Sequence, residues 1–166
     1  ERLITMEDVL TGKASLEDII SQLSVSELTE LVVGTSRGGF GTASTIGAAS
    51  AACPGAAGDT TSALLDDRGV PNLVLADGPA GLRLSRSFVA DSHGNIIPGL
   101  GESAMGGIEN IFGGQIPDRP ADAVDYYQYC TAIPIATMLA QTWNPHTIEE
   151  AGDIVGGEME EFGVTL

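Results

Sequence analysis

Apolar residues recur at helical spacing in the opening stretch, as Leu16, Ile19, Ile20 and Leu23, then Leu28, Leu31 and Val32. Three short helices are predicted, with starts at Thr5, Ser15 and Ser24. Ser24 and Glu27 form a capping box, and Gly34 is placed to stop the third helix. The pattern changes at Leu73, Val74, Leu75 and Ala76, which are apolar without alternation. Such a run predicts a strand buried on both faces of a parallel sheet. Gly78 and Pro79 end it abruptly, because proline cannot continue a central strand, and Asp77 is left at its carboxyl end. Toward the C-terminus, 133–143 reads as a short helix. Asn144 and Pro145 supply an N-cap and a first-turn proline, and Ile148, Ala151, Ile154, Val155, Met159 and Phe162 form the stripe of a longer helix that Gly163 stops. Val164, Thr165 and Leu166 favour β structure directly after that stop. They read as the start of a further strand, and so predict that the chain is a piece of a larger domain.

Between these elements the composition shifts. Residues 36–58 are rich in Gly, Ala, Ser and Thr. Within them Arg37-Gly-Gly-Phe-Gly41 looks superficially like a phosphate cradle, but it lacks the GxGxxG spacing and a strand-to-helix context, so a loop is expected. Residues 84–128 carry many glycines and little periodicity, and are expected to form a long inserted loop.

Composition then narrows the function classes. The chain has 166 residues, 43% of them hydrophobic, which suffices for a core, and no apolar run long enough to span a bilayer. Its formal charge of -16, from 23 acids against 7 bases, would repel a phosphate backbone, so nucleic acid is not an expected partner. Glu149, Glu150, Glu158, Glu160 and Glu161 read as a solvated helix face. Cys53 and Cys130 are far apart and lack metal-ligand spacing, which favours two half-buried thiols in a reducing compartment. His93 and His146 are isolated, so neither a metal nor another cofactor is expected. No secretory leader is recognisable, which makes the expected location cytoplasmic; a start at Glu1 implies that the natural N-terminus lies elsewhere.

Asp77 and Arg83 are the residues with candidate chemistry. They stand six apart across a Gly-Pro-Ala-Gly turn, at the strand end where barrel enzymes keep their sites. A carboxylate can accept from two neighbouring sugar hydroxyls while an arginine donates to their oxygens. The same residues also fit an ordinary turn closed by a structural salt bridge.

Several blocks in order carry a family resemblance. Leu75-Ala-Asp-Gly-Pro-Ala-Gly-Leu-Arg83 resembles the signature on the first barrel strand of glycoside hydrolase family 3. Pro54-Gly-Ala-Ala-Gly-Asp-Thr-Thr61 with Arg68-Gly-Val-Pro71 is similar to the family's lead-in. Thr131-Ala-Ile-Pro134 with Leu139-Ala-Gln-Thr-Trp-Asn144 resembles the next block, and Glu158-Met-Glu-Glu-Phe-Gly163 the end of the helix before the second strand. The resemblance implies an α/β fold: the first part of a (β/α)8-type barrel over 36–166, preceded by a helical lead-in over 1–35. It also implies that Asp77 and Arg83 bind the non-reducing glucosyl unit, the aspartate taking the hydroxyls far from the scissile bond.

The implied reaction is retaining hydrolysis of β-glucosides, which needs two carboxylates. In the family these are an aspartate on a later strand and a glutamate from outside the barrel. Neither region matches this chain, so no catalytic residue is assigned, and the expected partners are a β-glucoside or oligosaccharide and the remainder of the parent enzyme. Short family members pass from the arginine to the Thr-Ala-Ile-Pro block more directly than this chain does. The 84–128 insertion is therefore expected on the catalytic face, over the aglycone side or in a homo-oligomer contact. Tyr126, Tyr127 and Tyr129 at its end fit ordinary packing better than a sugar platform. Trp143 reads as helix-to-barrel packing. Two other readings stay open: a non-catalytic carbohydrate-binding or assembly module, and a family member acting on β-xylosides or other β-glycosides.

Overall fold

In the computed structural model of the chain, the residues described are 2–33, 50, 52–61, 66–97, 100–101 and 118–166. The Gly34 stop and the Arg37–Gly41 run lie outside them. Helices α1 (Met6–Leu10), α2 (Leu16–Gln22) and α3 (Val25–Val33) open the chain. Each start is set by reciprocal capping. Thr5 pairs with Asp8, Ser15 with Asp18 and Ser24 with Glu27, the hydroxyl accepting from the third residue's N–H while that carboxylate accepts from the cap backbone. Glu27 also receives Arg68 at 2.7 Å, which ties α3 to the segment before the central strand.

These contacts hold the Asp8, Asp18 and Glu27 carboxyls below their ordinary range. The backbone N–H groups of Thr5, Ser15 and Ser24 are the largest cause in each case. A folded pKa below the unfolded one contributes stability above the unfolded value and loses it as pH falls through the folded one. Helical circular dichroism is therefore expected to hold down to about pH 4 and to decline below it. Asp18→Asn should remove part of that acid-dependent loss.

Strand β1 (Gly58–Asp59) pairs antiparallel with β2 (Val74–Leu75). The other side of β2 is taken by the last residues of the chain. Leu166 N donates to Val74 O at 3.1 Å and Leu166 O accepts from Ala76 N at 2.8 Å, the pattern of a parallel pair. The β-favouring residues after Gly163 thus run alongside β2, a partner their composition does not specify. β2 itself is shorter and less covered than the apolar run implies. Val74 is buried, Leu75 and Ala76 are half-buried, and Leu73 is exposed. Among the described residues β2 pairs with a two-residue antiparallel strand and with the C-terminal residues, not within a continuous parallel sheet.

The stretch expected as an inserted loop contains structure. Strands β3 (Ser87–Ala90) and β4 (Val124–Tyr127) pair antiparallel, Ser87 opposite Tyr127 and Ala90 opposite Val124. Both are four residues long and flanked by turn residues, too short to give a clear period. Helix α4 (Ala136–Ala140) is shorter than the predicted 133–143. α5 (Pro145–Phe162) keeps its Asn144 cap and ends at Gly163 in the left-handed region, φ 71°. No described helix is long and apolar enough to cross a membrane. No closed barrel is formed by the described residues, whose strands make two two-stranded sheets plus the parallel C-terminal pairing.

The core is small and gathers the separate blocks. Cys53, Ala56, Val74, Leu82, Leu84 and Val164 are buried together, with Ala76, Cys130, Met159 and Phe162 packed against them. At its edge Gln128, itself buried, donates from Nε2 to the carbonyls of Pro54 and Ser85, both at 3.0 Å. Gln128→Leu would leave both carbonyls without that donor. Chemical denaturation is expected to show a loss of about 1–3 kcal/mol.

Candidate functional site

Asp77 stands two residues past the end of β2, and a compact loop returns the chain to Arg83. Arg83 N donates to Asp77 O at 2.9 Å, which closes the loop. The glycines make this closure feasible. A side chain at Gly78 would collide with the Gly81 carbonyl. Gly81 has φ 106°, and a side chain there would run into the Thr131 carbonyl.

The two predicted site residues meet. Arg83 Nε donates to Asp77 Oδ1 at 3.0 Å, and Arg83 Nη2 donates to Asp77 Oδ2, a forked ion pair. Their side chains are 46% and 52% exposed, so the pair lies open to solvent rather than inside the core. An ionised carboxylate has about four acceptor positions, of which the arginine fork takes two. Asp77 can therefore accept further hydroxyl donors while Arg83 holds it in place.

The loop is braced from behind by the block at 131–134. Ile133 N donates to Ala80 O at 3.0 Å, and the Thr131 carbonyl lies against Gly81. Thr131 N in turn donates to Glu158 Oε1 of α5 at 2.7 Å. Sequence reasoning placed Glu158 on the solvated acidic face, which Glu149, Glu150, Glu160 and Glu161 do occupy. Glu158 itself is half-buried. A signal was present, because Glu158 follows Ala151 and Val155 at helical spacing and so falls on the apolar stripe.

Other expectations change with the structure. Tyr126, Tyr127 and Tyr129 are exposed rather than packed into a core. Tyr126 stacks on Phe88 at 5.2 Å between centroids, and Tyr127 on Tyr129 at 5.7 Å. Strand β4 is exposed along its whole length; beside its ladder neighbours, Tyr127 meets Tyr129 and Asp125 pairs with Arg119. Trp143 is 92% exposed and has a positive φ of 54°, which turns the chain between α4 and α5; it does not pack against the described residues. Cys53 is buried and Cys130 half-buried, both as free thiols. Burial, with a smaller contribution from Cys130, pushes the Cys53 thiol up to about 11, so it stays protonated at neutral pH. Burial and the nearby Glu158 and Glu161 charges raise Cys130 as well. Neither thiol has the lowered pKa of a nucleophilic cysteine.

Neither a family model, a curated protein nor a solved structure matches the chain.

Proposed function

We propose that this chain supplies part of the glucose-binding subsite of a retaining β-glucosidase resembling glycoside hydrolase family 3. On this reading the 36–166 segment is the opening of a (β/α)8-type barrel. Asp77 accepts from the sugar hydroxyls far from the scissile bond and Arg83 donates to their oxygens. The nucleophile and acid/base come from parts of the enzyme outside this chain. The observation that carries the reading is the open Asp77–Arg83 fork at the carboxyl end of a strand.

Two features support it further. The blocks that carry the resemblance adjoin one another: 54–61 pairs with β2, 131–134 braces the Asp77 loop, and the end of α5 packs against the same core. Large apolar side chains such as Met138 and Trp143 stay exposed, surface that the rest of an enzyme would cover.

A second reading is favoured by the completeness of the ion pair. Both oxygens of Asp77 are already engaged by Arg83, as in a structural brace, which would suit a non-catalytic carbohydrate-binding or assembly module. Energetics weigh against it, because an exposed ion pair contributes only about 0–1 kcal/mol. The test is a panel of chromogenic glycosides offered to the full-length protein. Hydrolysis of the β-glucoside ahead of the β-xyloside, the N-acetyl-β-glucosaminide and the arabinoside is expected. Turnover of none of them would remove the enzymatic reading, and preference for the xyloside would change the sugar.

A further inference from the structure

We propose that Glu158 is a positioning residue, which sets the Asp77–Arg83 fork through the intervening 131–133 strip. This rests on the reading of Asp77 and Arg83 as sugar ligands.

Glu158 Oε1 accepts from Thr131 N at 2.7 Å. The carbonyl of the same Thr131 abuts Gly81, and two residues on Ile133 N holds Ala80 O at 3.0 Å. The strip 131–133 is therefore fixed to α5 on one side and to the 77–83 loop on the other. Arg83 N to Asp77 O, at 2.9 Å, carries that restraint to the fork itself. A movement of the strip away from α5 would slacken each of these contacts in turn.

The state of Glu158 argues that the contact has a role. Its Oε2 is buried and has no hydrogen-bond partner. A half-satisfied carboxylate is costly beside the fully solvated glutamates of the same helix, and a mere solubilising acid would turn outward. Glu158 also stands on the apolar stripe of α5, where an aliphatic residue would pack without that cost. What an aliphatic residue cannot do is hold the Thr131 N–H.

The experiment uses the full-length enzyme with Glu158→Ala, Glu158→Gln, Asp77→Ala and the Asp77→Ala/Glu158→Ala double variant. Amide hydrogen exchange is read at Arg83 and Ile133, and kcat/KM on a chromogenic β-glucoside. Glu158→Ala is expected to speed exchange at both amides and to lower kcat/KM about tenfold, the loss of one hydrogen bond to a charged group. Glu158→Gln keeps an acceptor oxygen and should restore most of both. In the Asp77→Ala background the Glu158→Ala loss should nearly vanish, because Glu158 acts through the loop that carries Asp77.

Unchanged exchange at Arg83 and Ile133 would overturn the proposal, as would kcat/KM losses that multiply fully in the double variant. If Asp77→Ala alone leaves kcat/KM intact, the sugar-ligand reading fails, while the exchange data still decide whether Glu158 holds the loop. Should Glu158→Ala fail to fold, Glu158→Asp, one methylene shorter, carries the same comparison.

Discussion

On the proposed function, Asp77→Ala in the full-length protein is expected to lower kcat/KM on a β-glucoside by roughly 10²–10⁴-fold. Each hydrogen bond from a sugar hydroxyl to the carboxylate carries about 1.5–3 kcal/mol, and a carboxylate facing two neighbouring hydroxyls loses two of them. Stability should hardly move. The Asp77–Arg83 pair is about half-exposed on both sides, and such pairs contribute about 0–1 kcal/mol. Steady-state kinetics read together with a denaturation curve separate the two possibilities. A large kinetic loss at unchanged stability marks a ligand contact, and the reverse result marks a structural brace.

Gly81→Ala is expected to cost roughly 2–5 kcal/mol. Two penalties add at this position. The φ of 106° is a conformation that L-residues adopt at a cost of about 1–2 kcal/mol, and the new methyl would meet the Thr131 carbonyl, so backbone must shift by about another 1–3 kcal/mol. Gly94 supplies the control. It also has a positive φ, 84°, but nothing lies within 4 Å of where a side chain would begin, so Gly94→Ala should cost only about 1–2 kcal/mol. Equal losses in the two variants, measured by denaturant unfolding, would mean that the 131–134 strip does not press on the loop. Because the shift falls between Asp77 and Arg83, Gly81→Ala should also impair kcat/KM.

The local features were legible in the sequence because their causes are local. Thr5, Ser15 and Ser24 announce helix starts through side chains that reach only three residues on, and each does so in the structure. Asn144, Pro145 and Gly163 bound α5 for the same kind of reason. The β-favouring character of Val164, Thr165 and Leu166 was readable, but not that Leu166 would pair with β2.

What the sequence concealed depends on contacts between distant segments. Ser87–Ala90 and Val124–Tyr127 form a ladder with each other, Ala90 is bridged in addition to Ile96, and neither strand shows a period alone. Gln128 looks like a surface residue until Pro54 and Ser85 bring two carbonyls to it. Tyr126, Tyr127 and Tyr129 read as ordinary packing, yet all three stay exposed, stacked on Phe88 or on one another. At the candidate site, the Asp77–Arg83 spacing was readable. A salt bridge across the turn was one of the two readings that spacing left open, and it forms; the Glu158 contact behind the loop was not readable. The clasp follows from the tight Gly78–Gly81 turn, in which the Thr131 carbonyl leaves no room for a side chain at Gly81.

The most direct measurement is a cycle that pairs Asp77→Ala with removal of the hydroxyl it is proposed to hold. Kinetics of the full-length protein and its Asp77→Ala variant are compared on a chromogenic β-glucoside and on its 4-deoxy analogue. If Asp77 binds the hydroxyls far from the scissile bond, Asp77→Ala should cost at least about tenfold less on the 4-deoxy substrate than on the parent glucoside, the difference being one hydrogen bond to a carboxylate. An equal loss on both substrates would contradict a direct contact between Asp77 and that hydroxyl.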